Sequence, residues 1–154
     1  MSSFEPTGVV KSFRSGGGDV TIWFPGGDLV AGRITGHIRA GLATAAFAEL
    51  DRYGAAVCHP GRGFIDFSAM TDFDWEARMT LVRWNLHHRA KASRVDLMTE
   101  SRTVQMALRA LASILGDRMV VHQDRATFSA AYASAVAKRL GAKAPPSGSG
   151  PAAP

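Results

Sequence analysis

The chain has 154 residues, 46% of them hydrophobic and 20% charged, a balance that suits one globular domain. Eighteen Lys and Arg against thirteen Asp and Glu leave a formal charge of +5. A single cysteine excludes a disulfide framework or a multi-cysteine zinc site, no apolar run approaches the roughly 18 residues of a membrane span, and the N-terminus lacks the basic-then-apolar order of a signal peptide.

A soluble, cytoplasmic protein is therefore expected. The only lysines are Lys11, Lys91, Lys138 and Lys143, so arginine carries most of the positive charge. That excess fits an Ala- and Gly-rich, GC-rich coding sequence as well as it fits an acidic partner.

Residues 1–7 read as a loose lead-in. Residues 9–14, 20–24 and 29–35 then form three strands separated by Ser15-Gly-Gly-Gly-Asp19 and Pro25-Gly-Gly-Asp28. Val20, Ile22 and Phe24 alternate with Thr21 and Trp23, the two-residue period of a pleated strand, and glycine supplies the positive φ of tight hairpins. An antiparallel meander follows. From 38 to 53 the period becomes helical, with Ile38, Leu42, Ala45, Ala46 and Leu50 on one face and Gly54 placed as the C-cap.

Residues 64–67 read as a short apolar strand. Asp72 or Asp74 then caps a helix reaching about residue 90, with one apolar row at Phe73, Ala77, Leu81 and Trp84 and a second at Trp75, Met79, Val82 and Leu86. A strand at 94–99 is followed by a helix that Thr99 or Ser101 can cap. Its core stripe is Val104, Ala107, Leu108, Leu111 and Leu115, and Gly116 ends it. A strand at 119–121 leads to a last helix capped by Asp124, whose buried face is Phe128, Ala131, Tyr132, Ala135 and Val136. The tail from 141 to 154, rich in Pro, Gly, Ser and Ala, lacks the apolar surface to offset its ordering entropy and reads as disordered. The order β-β-β-α-β-α-β-α-β-α predicts a single α/β domain over 8–140, a mixed sheet flanked by helices.

Few residues carry a chemical motif. The glycine clusters lie between strands and lack phosphate-loop spacing, so they read as turns. His87 and His88 are adjacent, about 100° apart on a helix, and do not make a chelating pair. His37, His59 and His122 have no acidic neighbour in sequence, and Cys58-His59 is not the spatial pair of thiol catalysis. No cofactor or metal is expected. The acids Asp66, Asp72, Asp74 and Glu76 gather where a strand gives way to a helix; their first reading is helix-dipole complementation, their second paired acid and base. Arg78, Arg83, Arg89, Lys91 and Arg94 read as a solvated basic face before a nucleic-acid patch.

From about residue 20 to 137 the chain resembles STAS domains, named for sulfate transporters and anti-sigma-factor antagonists, and in particular the SpoIIAA-like, STAS/SEC14-type bacterial proteins. The resemblance rests on F-I-D-F-S at 64–68, on M-T-D-F-D at 70–74 where Asp74 matches the aspartate that opens the family's second motif, and on the strand-helix pattern of 95–115 and 119–133. Trp75 and Glu76 stand where the family carries two serines, so the phosphoacceptor serine is missing at that place. The resemblance implies a non-catalytic regulatory or protein-interaction module. Its partner-binding loop would comprise Ser68, Thr71, Asp72, Asp74, Trp75 and Glu76, facing Thr99, Ser101 and Arg102. A protein partner leads; the SEC14-type kinship also admits a small molecule or lipid, provided a sizeable apolar cavity exists, and nucleic acid ranks below both.

Overall fold

The computed structural model describes residues 3–55 and 61–143. The predicted element order is the observed one: β1 (Val9–Ser15), β2 (Gly18–Gly26), β3 (Leu29–Ile38), α1 (Ala40–Ala55), β4 (Gly61–Phe73), α2 (Trp75–His88), β5 (Ala92–Met98), α3 (Arg102–Leu115), β6 (Met119–His122) and α4 (Arg125–Lys143). The six strands lie side by side in sequence order; β1, β2 and β3 are antiparallel, and β3 to β6 are parallel. Gly16 and Gly17 close the first hairpin at φ 54° and 87°. Two consecutive positive φ angles make the tight turn that matches strand twist and that bulkier residues resist.

Strand alternation sorts the core into two layers. On one face, Val20, Ile22 and Phe24 of β2 meet Leu42, Ala43 and Ala46 of α1, Ala77 of α2, and Val104, Leu108 and Leu111 of α3. On the other, Trp23, Leu29, Ala31, Phe64 and Met98 meet Phe128, Tyr132 and Ala135 of α4. Three helices thus cover one face and a single helix the other. The stripes read for α3 and α4 are the buried ones.

Several expectations are corrected. Phe4 is buried, its ring 4.7 to 4.9 Å from those of Trp23, Phe128 and Tyr132, so aromatic packing anchors the lead-in. Ile38 ends β3 instead of opening α1, and Gly54 lies inside α1. The short strand at 64–67 is the middle of the 13-residue β4. The second apolar row of α2 is covered only in part: Val82 packs against the core, whereas Trp75 is 68% exposed and Leu86 53%. Cys58, His59 and the tail beyond 143 lie outside the described residues. No helix among those described is long and apolar enough to cross a membrane.

Candidate functional site

The surface expected to receive a partner is strand, not loop, for most of its length. β4 continues to Phe73, and only Asp74 links it to α2. Against β3, β4 carries one extra residue between Asp66 and Ala69 and another between Met70 and Asp72. Such bulges bend a strand and re-aim its side chains. Thr71, Asp72, Trp75 and Glu76 are consequently exposed, and Arg102 joins them at the start of α3.

The other residues of the set hold the fold together. Asp74 occupies the N-cap position of α2 without a side-chain capping bond; its Oδ1 lies 2.6 Å from His37 Nε2. Asp72 sits on the far side of the same imidazole, Oδ2 4.0 Å from Nδ1. Thr99 is fully buried, and its Oγ1 accepts from Ser101 N–H at 3.2 Å. Ser101 caps α3 by accepting from Val104 N–H at 3.3 Å. Ser68 faces away from α2: its hydroxyl donates to Asp66 and accepts from Arg125 of α4 at 2.5 Å.

Ser68 belongs to a polar network that sequence spacing did not reveal, because its members come from five elements. Asp66 receives the Ser68 backbone N–H at 2.9 Å and Arg125 at 3.0 Å, with Arg33 at 3.9 Å. Asp96 is fully buried between Arg62 at 3.1 Å, Arg94 at 3.0 Å and His122 at 2.8 Å. Burial alone would raise both carboxyls. The bonds from Ser68 and Arg125 to Asp66, and those from Arg94, His122 and Arg62 to Asp96, outweigh it and hold both below the ordinary carboxylate value. Arg139 near the far end of α4 grips buried Asp28 at 2.6 Å. The network therefore clamps α4 to the sheet at two points. Its one sequence signal is the placement of Asp66 and Asp96 at apolar, inward positions of parallel strands, where an unpaired carboxylate would be costly.

The opposite face contains a cavity of about 440 Å³ between the sheet and α1, α2 and α3. Small side chains create it. Gly32 and Gly63 lie on the sheet floor, with Ala43, Ala46, Ala77 and Ala107 on the helices above. Val30, Ile34, Ile65 and Val95, mid-sheet residues that a tightly docked helix would bury, are only partly covered. α2 itself buries Ala77 alone. Its hold on α1 is made at the rim: Trp84 stacks on Phe47 with centroids 4.9 Å apart, and Asp51 Oδ1 accepts from Trp84 Nε1 and meets His88 Nε2, each at 2.9 Å. Burial pushes the His88 imidazole down, and Lys91 and His87 push it further, against the pull of Asp51. The ordering of apolar residues could not disclose this cavity; the run of Ala and Gly facing the sheet was its only trace.

A six-stranded mixed sheet in sequential order, three helices on one face and one on the other, is a recognised architecture. A protein of the DUF3478 family from Shewanella loihica PV-4, described as having a SpoIIAA-like fold, superposes with a TM-score of 0.55 at 14% identity over 77% of this chain and 88% of its own. The domain has the SpoIIAA-like fold. The unphosphorylated form of the anti-sigma factor antagonist SpoIIAA aligns at 13% identity over 80% of this chain and 98% of its own, with a TM-score of 0.49. No family model and no curated protein matches the sequence. No group of three or more His, Cys, Asp or Glu among the described residues could hold a metal ion.

Proposed function

We propose that this SpoIIAA-like domain is a non-catalytic binding module whose ligand is an apolar small molecule or a single acyl chain lodged between the sheet and α1–α3. The cavity carries this reading. Its 440 Å³ fall within the roughly 300–1,000 Å³ of small-molecule sites, and its walls are chiefly Val, Ile, Leu, Ala, Phe and Met. Packed interiors leave few voids larger than a water molecule, so an apolar space of this size has a free-energy cost unless something fills it. The SEC14-type side of the resemblance supports the same ligand class. Native mass spectrometry of protein purified from cells, followed by calorimetric titration with apolar ligands, tests it. The expected result is a ligand that binds the wild type and not Gly63→Leu; failure of every apolar probe to bind would end the proposal.

A second reading, a protein partner at the ends of the parallel strands, is favoured by one observation. Trp75 is 68% exposed at the start of α2, beside exposed Glu76, where a monomer gains nothing from a bare indole. Large aromatics of this kind dominate protein interfaces. With Glu76 in place of a phosphoacceptor, such a partner would meet a constant negative charge instead of a switched one. Pull-down with wild type and Trp75→Ala distinguishes this reading: a partner retained equally by both would remove its support.

A further inference from the structure

The cavity is apolar along its length but not at its ends, and the ends differ. Apart from the Tyr53 phenol, its charged or titratable wall residues are Asp28, Asp51, Arg78, His88 and Lys91. Four of them gather where β4 and β5 begin. The Asp28 carbonyl accepts the Arg62 N–H there at 2.9 Å, and Lys91 immediately precedes β5. Charges at that end balance: Asp28 is held by Arg139 at 2.6 Å, and the Asp51 carboxylate, 2.9 Å from His88, is offset by the Lys91 ammonium that acts on the same imidazole.

The other end, where β3 and β4 finish, has Arg78 as its single charged wall residue among those described, beside Ile38, Met70, Phe73 and Val104. The Arg78 guanidinium makes no ion pair among the described residues; its recorded neighbour is the Trp75 ring at 5.7 Å. Asp74, one helical turn earlier, is committed to His37 at 2.6 Å. Arg78 is half-buried as a residue and lines apolar walls, a setting in which a guanidinium favours an anionic partner, and its planar fork matches a carboxylate in two parallel hydrogen bonds.

We infer that the cavity takes a single-chain monocarboxylate, with the carboxylate on Arg78 and the chain running beneath α2 toward the Asp51–His88 end. The inference rests on the reading of the cavity as a binding site. At its end of the cavity Arg78 has no acidic wall residue to offset it among those described, and one such cation matches one negative charge. From Arg78 to Lys91 the path beneath the helix is roughly 20 Å, from the rise per residue. A volume of 440 Å³ lies near the small end of ligand sites, which fits one chain and not two. Arg78 thus becomes a specificity residue: it selects an acid over the matching alcohol, while the walls supply affinity to both.

The test is calorimetric titration of dodecanoate and dodecan-1-ol against wild type, Arg78→Gln, Arg78→Lys and Gly63→Leu, with melting temperatures to confirm folding. Wild type should bind dodecanoate at least about tenfold more tightly than the alcohol, about 1.4 kcal/mol. Arg78→Gln should erase that preference and leave alcohol binding unchanged, Arg78→Lys should recover much of it, and Gly63→Leu should weaken both ligands. Equal binding of acid and alcohol by wild type, or a preference that survives in Arg78→Gln, overturns the inference while leaving the cavity as a site. If neither ligand binds, or if Gly63→Leu binds both as wild type does, the cavity reading fails and the inference with it.

Discussion

Filling the cavity from its floor should stabilise the protein, the opposite of what enlarging a core residue usually does. Gly63 sits in β4 between Val30 of β3 and Val95 of β5, and faces the helical layer. A Cβ built there meets Val30 Cγ1 and Val95 Cγ1 at 3.8 Å and Val95 Cγ2 at 4.0 Å, ordinary van der Waals contact, and its backbone is outside the left-handed region. Gly63→Leu adds four carbons to apolar surroundings, worth about 3 kcal/mol at ~0.8 kcal/mol per buried methylene. Ordering the new side chain costs about 0.5–1 kcal/mol. Replacing glycine also restricts the unfolded chain, a gain of about 0.4–1 kcal/mol. The net expectation is about 3 kcal/mol of stabilisation, or roughly 6–12 °C in Tm at this chain length. Urea denaturation monitored by tryptophan fluorescence, with the ligand-free protein, measures it. In a filled core the same change would overpack and cost about 1–3 kcal/mol. A lower midpoint in Gly63→Leu would therefore refute the cavity itself.

The remaining predictions concern the anchors around it. Phe4→Ala should cost about 3 kcal/mol, since the ring is buried against Trp23, Phe128 and Tyr132; a change under about 0.5 kcal/mol by denaturant titration would return the lead-in to a loose segment. Trp84→Ala should cost about 2 kcal/mol through loss of the Phe47 stack and the Asp51 hydrogen bond, whereas exposed Trp75→Ala should stay within about 0.5 kcal/mol in the same titration. Asp66 and Asp96 have folded pKa values below the unfolded value, so the unfolded chain takes up protons first: their stabilisation is complete above about pH 5 and is lost as pH falls below about 4 through the folded values. Asp96→Asn should lower stability at pH 7 by about 3 kcal/mol and flatten the acid limb of the stability curve; an unchanged acid limb would mean that the network does not bind its carboxylates as the distances imply.

Much of the architecture was legible because single elements declare themselves through local periodicity. The α3 stripe from Val104 to Leu115 and the α4 face from Phe128 to Ala135 are set by side chains three and four residues apart, and both are buried as the pattern requires. The same reasoning held only in part for α2, where two apolar rows were present but Ala77 alone became fully buried and Phe73, Leu81 and Val82 pack against the core partly covered. A row states which residues can be buried; the size of those facing it decides how closely the helix docks. With Gly32 and Gly63 beneath and Ala43, Ala46 and Ala107 beside it, α2 has little to interlock with. Phe4 and Ser68 were misplaced for a different reason. Phe4 packs on Tyr132 and Ser68 bonds to Arg125, partners 128 and 57 positions away that no local pattern encodes. At the candidate partner surface, residue types pointed to capping. Ser101 does cap α3, but Asp74 at the start of α2 makes no capping bond and meets His37 instead, where the bulges in β4 re-aim the chain just before that helix begins.

The two faces of the sheet divide the labour. On the α4 face, buried carboxylates are each held by arginine, aromatic rings interlock, and Trp23 donates its indole N–H to Tyr132 at 2.9 Å. Moving α4 would take Arg139 away from Asp28 and Arg125 away from Asp66, breaking two ion pairs to buried carboxylates at a cost of about 3–5 kcal/mol each. That face has one arrangement. On the other face α2 is held by Phe47, Trp84 and Asp51 at its rim, by buried Ala77 and by partly covered Leu81 and Val82, and among the described residues no buried ion pair ties it down. Lifting α2 exposes a partly open sheet surface instead of dismantling a packed core, so its cost is small for the area involved. A cavity that must admit a chain needs one wall that yields and a floor that does not. The strands that form this floor are the ones the α4 network fixes from behind: Asp66 lies on β4 next to Ile65, and Asp96 lies on β5 between Val95 and Leu97. On the proposed binding role, the buried ion pairs, dispensable for burying apolar surface, would hold the floor in place if α2 were displaced to admit a ligand.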